Sequence, residues 1–352
     1  MKQLATIWSI SSDMTNYGWI LIVVTLSSFS LTFLLKHYAL ANHLLDIPNA
    51  RSSHLIPTPR GGGLAFVIVF ICCLPLLYIL SLLSNSMLWL LMGACSLVAC
   101  IGFLDDKYHI PARWRLLIHF LAAGWILFWS NGYPSITLTM FQIPAAIATL
   151  GAVFYLVWLL NLYNFMDGIN GIAGIEAICV SLSGAIFYIL LGYDTLIAPL
   201  LLLAASVLGF LFWNFPHAKI FMGDTGSGFL GITLGALSIQ AAWVSPSLFV
   251  AWLIILGVFI VDATWTLMHR IFRKQRVYEA HRSHTYQIAS RAIGKHWPIS
   301  LSVMVINFVW LLPIAILVIF QVIHAWFGLL LAYLPLASLA YYFKAGASEQ
   351  ND

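Results

Sequence analysis

The chain alternates long apolar stretches with short polar connectors from one end to the other. Apolar runs fall at residues 19–35, 63–83, 87–104, 116–130, 145–160, 172–191, 196–213, 226–243, 248–268, 299–322 and 326–342. Most of them approach the about 20 residues with which an α-helix crosses the hydrocarbon core of a bilayer. The connectors carry turn residues, as in Leu83-Ser84-Asn85-Ser86, Asn131-Gly132-Tyr133-Pro134 and Val244-Ser245-Pro246-Ser247. The pattern predicts an all-α fold, a polytopic bundle of ten or eleven transmembrane helices, with residues 1–352 forming one membrane domain.

Composition supports that class. Hydrophobic residues make up 62% of the chain, charged residues 8%, and mean hydropathy is +0.95, whereas soluble domains carry about 25% charged residues. All five cysteines (Cys72, Cys73, Cys95, Cys100 and Cys179) fall in apolar runs without metal or disulfide spacing, so most are expected to be small buried hydrophobes. Near the N-terminus, Lys2 and Asp13 precede a long span without a small-residue cleavage site, which favours a retained helix over a signal peptide. The net charge of +4 brings no basic stripe with interleaved aromatics, so nucleic acid is not expected as a partner.

Charge placement predicts orientation. With eleven spans, fifteen of the sixteen Lys and Arg residues lie on one side, and only Lys2 lies opposite. Because cytoplasmic loops retain basic residues, the N-terminus is expected to be periplasmic or extracellular and the C-terminus cytoplasmic. Asp46, Asp105, Asp106, Asp167, Asp224 and Glu279 fall on that cytoplasmic side too, which the positive-inside rule does not require. A membrane transporter or flippase for an anionic lipid or solute is the alternative, but it would carry polar groups along a path through the bilayer midplane.

Five polar constellations share this face. Gly102-Phe103-Leu104-Asp105-Asp106-Lys107 places adjacent carboxylates at a span end. Such a pair suits Mg²⁺ and phosphate chemistry or a shared proton, or is simply an acidic helix end. Arg113 and Arg115 follow, either to neutralise a diphosphate or to obey the positive-inside rule. Between two spans, Asn161-Leu162-Tyr163-Asn164-Phe165-Met166-Asp167-Gly168-Ile169-Asn170-Gly171 puts amides and a carboxylate where they must face a wet cleft or one another. On a continuing helix Asn161, Asn164 and Asp167 share one face. Lys219-Ile220-Phe221-Met222-Gly223-Asp224-Thr225-Gly226-Ser227-Gly228 reads as a glycine-rich helix start with Asp224 as N-cap, suited to an anion or its bridging cation. His281-Arg282-Ser283-His284, among Arg273, Lys274 and Arg276, makes a phosphate clamp and lacks the further ligands of a zinc site. Pro48-Asn49-Ala50-Arg51-Ser52-Ser53-His54 with Pro57-Thr58-Pro59-Arg60-Gly61-Gly62-Gly63 reads as a shaped loop, its arginines doubling as juxtamembrane anchors for anionic membrane lipids. Glu176 and Asp262 lie within apolar runs and receive no catalytic assignment.

These motifs, in this order from about Pro48 to Arg291, resemble the polyprenyl-phosphate N-acetylhexosamine-1-phosphate transferases, a family that includes the bacterial lipid-linked GlcNAc-1-phosphate transferase and phospho-MurNAc-pentapeptide translocase. The resemblance implies transfer of a HexNAc-1-phosphate from a UDP-sugar to undecaprenyl phosphate, releasing UMP, with Mg²⁺ as cofactor and Mn²⁺ as a substitute. It further implies a bacterial inner membrane location, an active-site cleft of cytoplasmic loops, and leaves room for a homodimer. By the same resemblance Asp105 or Asp106 deprotonates or orients the lipid phosphate, with Asp167 and His284 as further catalytic positions. Asn164 and Asp224 hold the metal. Phe221 stacks uracil, Asn170 contacts it, Arg115 meets the diphosphate, and Arg60, Asn161, His281 and Arg282 bind substrate. Two positions depart from the common bacterial pattern: Asn170 stands where many relatives have aspartate, and His284 is followed by Thr285-Tyr286-Gln287 instead of further histidines. The second departure resembles enzymes that start O-antigen with a 6-deoxy-HexNAc such as FucNAc or QuiNAc.

Overall fold

A computed structural model of the chain describes residues 2–48, 56–108, 110–137, 142–275 and 281–347, with side chains from residue 18 onward. Asn49 to His54, including Arg51, lie outside the described residues, as do Arg276 and Glu279 and the side chains of Lys2 and Asp13. Fourteen α-helices follow in order: α1 (Lys2–Ala41), α2 (Gly63–Ile79), α3 (Asn85–Tyr108), α4 (Ala112–Trp129), α5 (Ala145–Met166), α6 (Ile172–Leu191) and α7 (Ile197–Asn214). Then come α8 (Asp224–Val244), α9 (Pro246–Ile255), α10 (Gly257–Phe272), α11 (Thr285–Ile293), α12 (Trp297–Val305), α13 (Leu312–Ile319) and α14 (Ala325–Tyr342). A π-helical turn, Ile306–Leu311, joins α12 to α13. The strands are two-residue antiparallel pairs, Leu45–Asp46 with Thr58–Pro59 and Ile136–Thr137 with Gln142–Ile143. The first pair gives the expected irregular loop before α2 a short ladder.

Each of the eleven apolar stretches is helical. Among the described residues, eight helices are long and apolar enough to cross a membrane, and the α9–α10 pair would make a ninth. Helix α2 is apolar but only 17 residues long, and α4 carries Arg113, Arg115 and His119. The stretch 248–268, expected as one span, is bent by 70° between α9 and α10. Tyr333 of α14 donates its hydroxyl to the Leu253 carbonyl at 2.7 Å, satisfying a backbone group near the break. Of the cysteines, only Cys95 and Cys179 are buried, whereas Cys72 and Cys100 face outward from the bundle. In a bilayer that outer surface needs only to be apolar, and a thiol meets that demand.

Helix α8 is the axis of the bundle, buried along most of its length. Its glycines let neighbouring backbones approach closely, the device that packs helices where lipid removes the hydrophobic incentive. A Cβ on Gly231 would lie 2.6 Å from the Leu160 Cα of α5. One on Gly63 of α2 would lie 2.5 Å from the Gly226 Cα, and one on Gly102 of α3 would lie 2.7 Å from the Thr225 Cα. The starts of α2 and α8 and the ends of α3 and α5 are thereby drawn to one point, where the polar residues lie.

Candidate active site

The site is built on the first turn of α8. Gly223, with φ of +79°, turns the chain into that helix and leaves its leading N–H groups without intrahelical acceptors. Asp106, on the last turns of α3, supplies them: its Oδ1 accepts from the Asp224 N–H at 3.0 Å. Its Oδ2 accepts from the Thr225 N–H at 3.1 Å and the Thr225 hydroxyl at 2.7 Å. Asp106 is therefore an N-cap delivered from another helix, and a negative charge there also complements the helix dipole. The Arg60 guanidinium donates to the Asp106 carbonyl. The Arg60 loop is stitched to the segment before α8 by backbone bonds from Phe221 N–H to the Pro59 carbonyl (2.7 Å), Gly62 N–H to Phe221 (2.9 Å) and Gly63 N–H to Met222 (2.8 Å).

Asp105, one residue earlier, points to Arg115 at the start of α4. The same Arg115 Nη1 lies 3.1 Å from Asp224 Oδ2. Asn164, two residues before the end of α5, donates to Asp224 Oδ1 at 2.8 Å and lies 3.2 Å from the Ser227 hydroxyl. Four helices thus converge on Asp224. At this point Asp105, Asp106 and Asp224 face Arg115 and Arg60, an excess of one carboxylate.

Opposite lies the histidine loop. Asp262 of α10, which sequence reasoning left without a role, accepts from the Thr285 N–H at 3.0 Å and the Tyr286 N–H at 3.1 Å, capping α11. It also sits 3.3 Å from His284 Nδ1. His284 stacks on His281 at 4.9 Å between ring centroids, and His281 Nδ1 pairs with the Ser283 hydroxyl at 3.0 Å. Tyr286 donates its hydroxyl to the Phe165 carbonyl at 2.9 Å, tying this loop to the end of α5.

Two adjoining cavities result. The larger, about 560 Å³, is lined by Arg115, His119, Asn161, Asn164, Asp224, His281, His284, Tyr286 and Gln287 together with apolar residues of α3, α4 and α5. The smaller, about 330 Å³, is lined by Arg60, Asp105, Asp106, Ile110, Arg115 and Asp224. Nine of the expected site residues meet here: Arg60, Asp105, Asp106, Arg115, Asn161, Asn164, Asp224, His281 and His284. Asp167, Asn170, Phe221 and Arg282 line neither cavity. Asp167 follows α5 as its C-cap. Asn170 is held by the Ser300 hydroxyl on its carbonyl at 2.7 Å and by its own amide on the Pro216 carbonyl at 3.3 Å. Asn214 links the loops of Asn170 and Phe221, accepting from the Gly171 N–H at 2.8 Å and donating to the Ile220 carbonyl at 2.9 Å. The Arg282 carbonyl accepts from Arg291 at 2.9 Å.

Burial pushes the Asp167 carboxyl well above the usual carboxylate range, and the charges of Asp224 and Asp106 add to the rise. Burial, with the charges of His284 and Arg270, pushes His281 down to about 3, while Asp262 acts in the opposite direction. Four contributors escaped sequence reasoning. Asp262 carried a signal, since a carboxylate inside an apolar run needs a purpose. Thr225 and Ser227 had only their place in the glycine-rich turn. His119, buried one turn beyond Arg115 with an unpartnered Nδ1, looked like part of an apolar helix.

Comparison with known proteins identifies the family. The profile of Glycosyl transferase family 4 matches residues 87–242, from α3 through α8. The chain is 34% identical over 276 residues to the probable undecaprenyl-phosphate N-acetylglucosaminyl 1-phosphate transferase of Bacillus subtilis, covering 75% of each protein. It is 27% identical over 271 residues to the undecaprenyl-phosphate alpha-N-acetylglucosaminyl 1-phosphate transferase of Thermotoga maritima, covering 76% of this chain and 80% of that one. Phospho-N-acetylmuramoyl-pentapeptide-transferase of Streptococcus pyogenes is 32% identical over 233 residues, 61% of this chain and 66% of that one. The chain therefore belongs to glycosyl transferase family 4, among relatives that are polyprenyl-phosphate N-acetylhexosamine-1-phosphate transferases.

Proposed function

We propose that this protein transfers a HexNAc-1-phosphate from a UDP-HexNAc to undecaprenyl phosphate, releasing UMP and starting a lipid-linked glycan such as O-antigen. The observation that carries the proposal is the junction at Asp224, where Arg115 lies between two carboxylates at the mouth of a cavity walled by histidines. Phosphoryl transfer asks a protein chiefly to position groups in line and neutralise charge, and this junction supplies both. An oxygen of the lipid phosphate forms a bond to the β-phosphorus of the UDP-sugar. The bond from that phosphorus to the oxygen bridging the α-phosphate breaks, and its electron pair leaves with UMP.

Each residue has a part in this reading. Arg115 offsets the diphosphate charge. Asp105, which lines the smaller cavity beside Arg115, is the carboxylate placed to orient the lipid phosphate, whereas Asp106 keeps the α8 turn in place. The wall of His281, His284, Tyr286 and Gln287 faces the sugar, GlcNAc or a 6-deoxy-HexNAc such as FucNAc or QuiNAc. With an excess of carboxylate at the junction, two anionic substrates enter only if a cation accompanies them. Among the described residues no three His, Cys, Asp or Glu side chains form a closed ligand set. Mg²⁺ takes one or two carboxylates and completes its shell with phosphate and water. Asp224, with Asn164 turned to present its amide oxygen, would hold it, and Mn²⁺ suits the same donors. When bound, it supplies neutralisation of the diphosphate and of the departing UMP. In this reading the cavities face the cytoplasm, where soluble nucleotide meets lipid.

The test uses purified protein, undecaprenyl phosphate, Mg²⁺ and a panel of UDP-HexNAc donors. UMP is released with at least one donor, stops when EDTA is added and returns with excess Mg²⁺. No release with any donor refutes the proposal.

A further inference from the structure

Asp262 occupies a place that the transfer reaction does not by itself explain. It is 7% exposed, on α10, and among the described residues its hydrogen bonds lead to the histidine loop or to its own helix. Oδ2 accepts from the Tyr286 N–H. Oδ1 accepts from the Thr285 N–H and, at 3.2 Å, from the Thr266 hydroxyl one turn along. The fourth contact is His284 Nδ1. A carboxylate only accepts hydrogen bonds, so a ring nitrogen at that distance is the protonated one. The Gln287 N–H reaches both the His284 side chain, in a capping box, and the His284 carbonyl at 3.1 Å; the carbonyl serves that donor, whereas the carboxylate of Asp262 is served only by a protonated Nδ1.

We infer that Asp262 is a positioning residue for the transfer: it locks His284 in the tautomer that carries its hydrogen on Nδ1, leaving the Nε2 lone pair of a cavity-lining imidazole for the substrates. The inference rests on the proposed function for what His284 meets, but not for the pairing itself. An aspartate that fixes one nitrogen of an imidazole determines what the other can do, as in hydrolase triads. The rest of the surroundings tighten the arrangement. The His284 ring, 3% exposed, lies between the rings of His281 and Tyr286, at 4.9 and 5.8 Å, so it cannot turn freely. Beyond the end of α14, the Gly346 N–H donates to the Ser283 carbonyl at 2.9 Å, holding the residue before His284. Among the described residues, Arg270, His281 and Tyr286 are charged or titratable groups beside the pair.

The measurement is the nitrogen NMR signature of His284 in ¹⁵N-histidine-labelled full-length protein in detergent. It is assigned by loss of the signal in His284→Gln and read well above the titration range of free imidazole, near 6.5. In the wild type, His284 shows a protonated Nδ1 and a pyridine-type Nε2. In Asp262→Asn the side-chain amide meets Nδ1 and the tautomer inverts. Turnover then falls at least 10-fold while KM for the UDP-sugar stays within about 3-fold, and Asp262→Glu recovers part of the loss. A wild-type His284 protonated on Nε2 overturns the inference without any variant being needed, and so does an Asp262→Asn protein that turns over normally. If the wild type releases no UMP with any donor, the proposed function and the positioning role fall together, while the NMR signature still decides whether the pair exists.

Discussion

The two neighbouring aspartates should fail in different ways when each is changed to asparagine. Asp106 accepts three hydrogen bonds at the start of α8, two from backbone N–H groups. An asparagine keeps one acceptor and turns an amide N–H₂ towards a donor. Losing the charge from two backbone bonds costs about 1 kcal/mol each, and losing its interaction with the helix dipole about 0.5–1 kcal/mol. The sum is about 3 kcal/mol. With an unfolding entropy of about 2.1 cal/mol/K per residue over 352 residues, that is a fall in melting temperature of about 4 °C. Turnover falls as well, because Asp224 moves with the turn. Asp105 makes its ion pair to Arg115, which keeps Asp224 as a partner, and removing one of three crowded carboxylates relieves repulsion. Asp105→Asn should therefore melt within about 1 kcal/mol of the wild type and lose at least 100-fold in turnover, about 2.7 kcal/mol of transition-state stabilisation. Tryptophan-fluorescence melting in detergent beside UMP release measures both quantities on the same samples. If Asp106→Asn melts like the wild type, or Asp105→Asn is the less stable of the two, the division of labour argued from their contacts is wrong.

Three further outcomes follow from the geometry. Gly102→Ala places a Cβ 2.7 Å from the Thr225 backbone, so α3 and α8 must separate; thermal stability and UMP release should both drop, whereas Gly124→Ala, with open space at its Cβ, should change neither. Glu176 accepts from the Asn307 amide at 2.6 Å in the bundle interior beside the π-helical turn. Glu176→Gln keeps an acceptor and should melt within about 1 kcal/mol of the wild type, while Glu176→Ala leaves the Asn307 amide with only its 3.1 Å bond to the Val303 carbonyl, opens a cavity and should cost about 2–4 kcal/mol; equal melting of the two variants would refute the pairing. The third concerns pH. His281 titrates near 3 in the folded protein and near 6.5 when unfolded, so the unfolded chain binds more protons between those values. Its contribution to stability is full above pH 6.5 and is lost as pH falls towards 3, so the stability advantage of the wild type over His281→Asn should shrink across that window. An advantage that grows on acidification would contradict the burial of a neutral ring.

How much of this could be seen in the chain alone varies from residue to residue. Lipid imposes a demand on composition, about 20 apolar residues per crossing, and that demand is written locally, so the helical class and every apolar stretch were visible. The clustering of Asp105, Arg115, Asn164, Asp224 and the histidines was also accessible, because alternation of spans assigns each connector to a side. Distances within that side were not. Asp105 and Asp106 are adjacent and chemically identical in sequence, and only the crossing of α3 over α8 at Gly102 decided that one meets Arg115 and the other caps a helix. Asp262 and His284 stand 22 residues apart, and the packing of the start of α11 back against α10 brings them together. Asn170 and Phe221 carry the expected side chains but line neither cavity. Hydrophobic periodicity reports which medium a residue faces, which each position settles for itself. Which partner a polar group finds is set by helix crossings and loop closures, and those depend on the whole bundle at once.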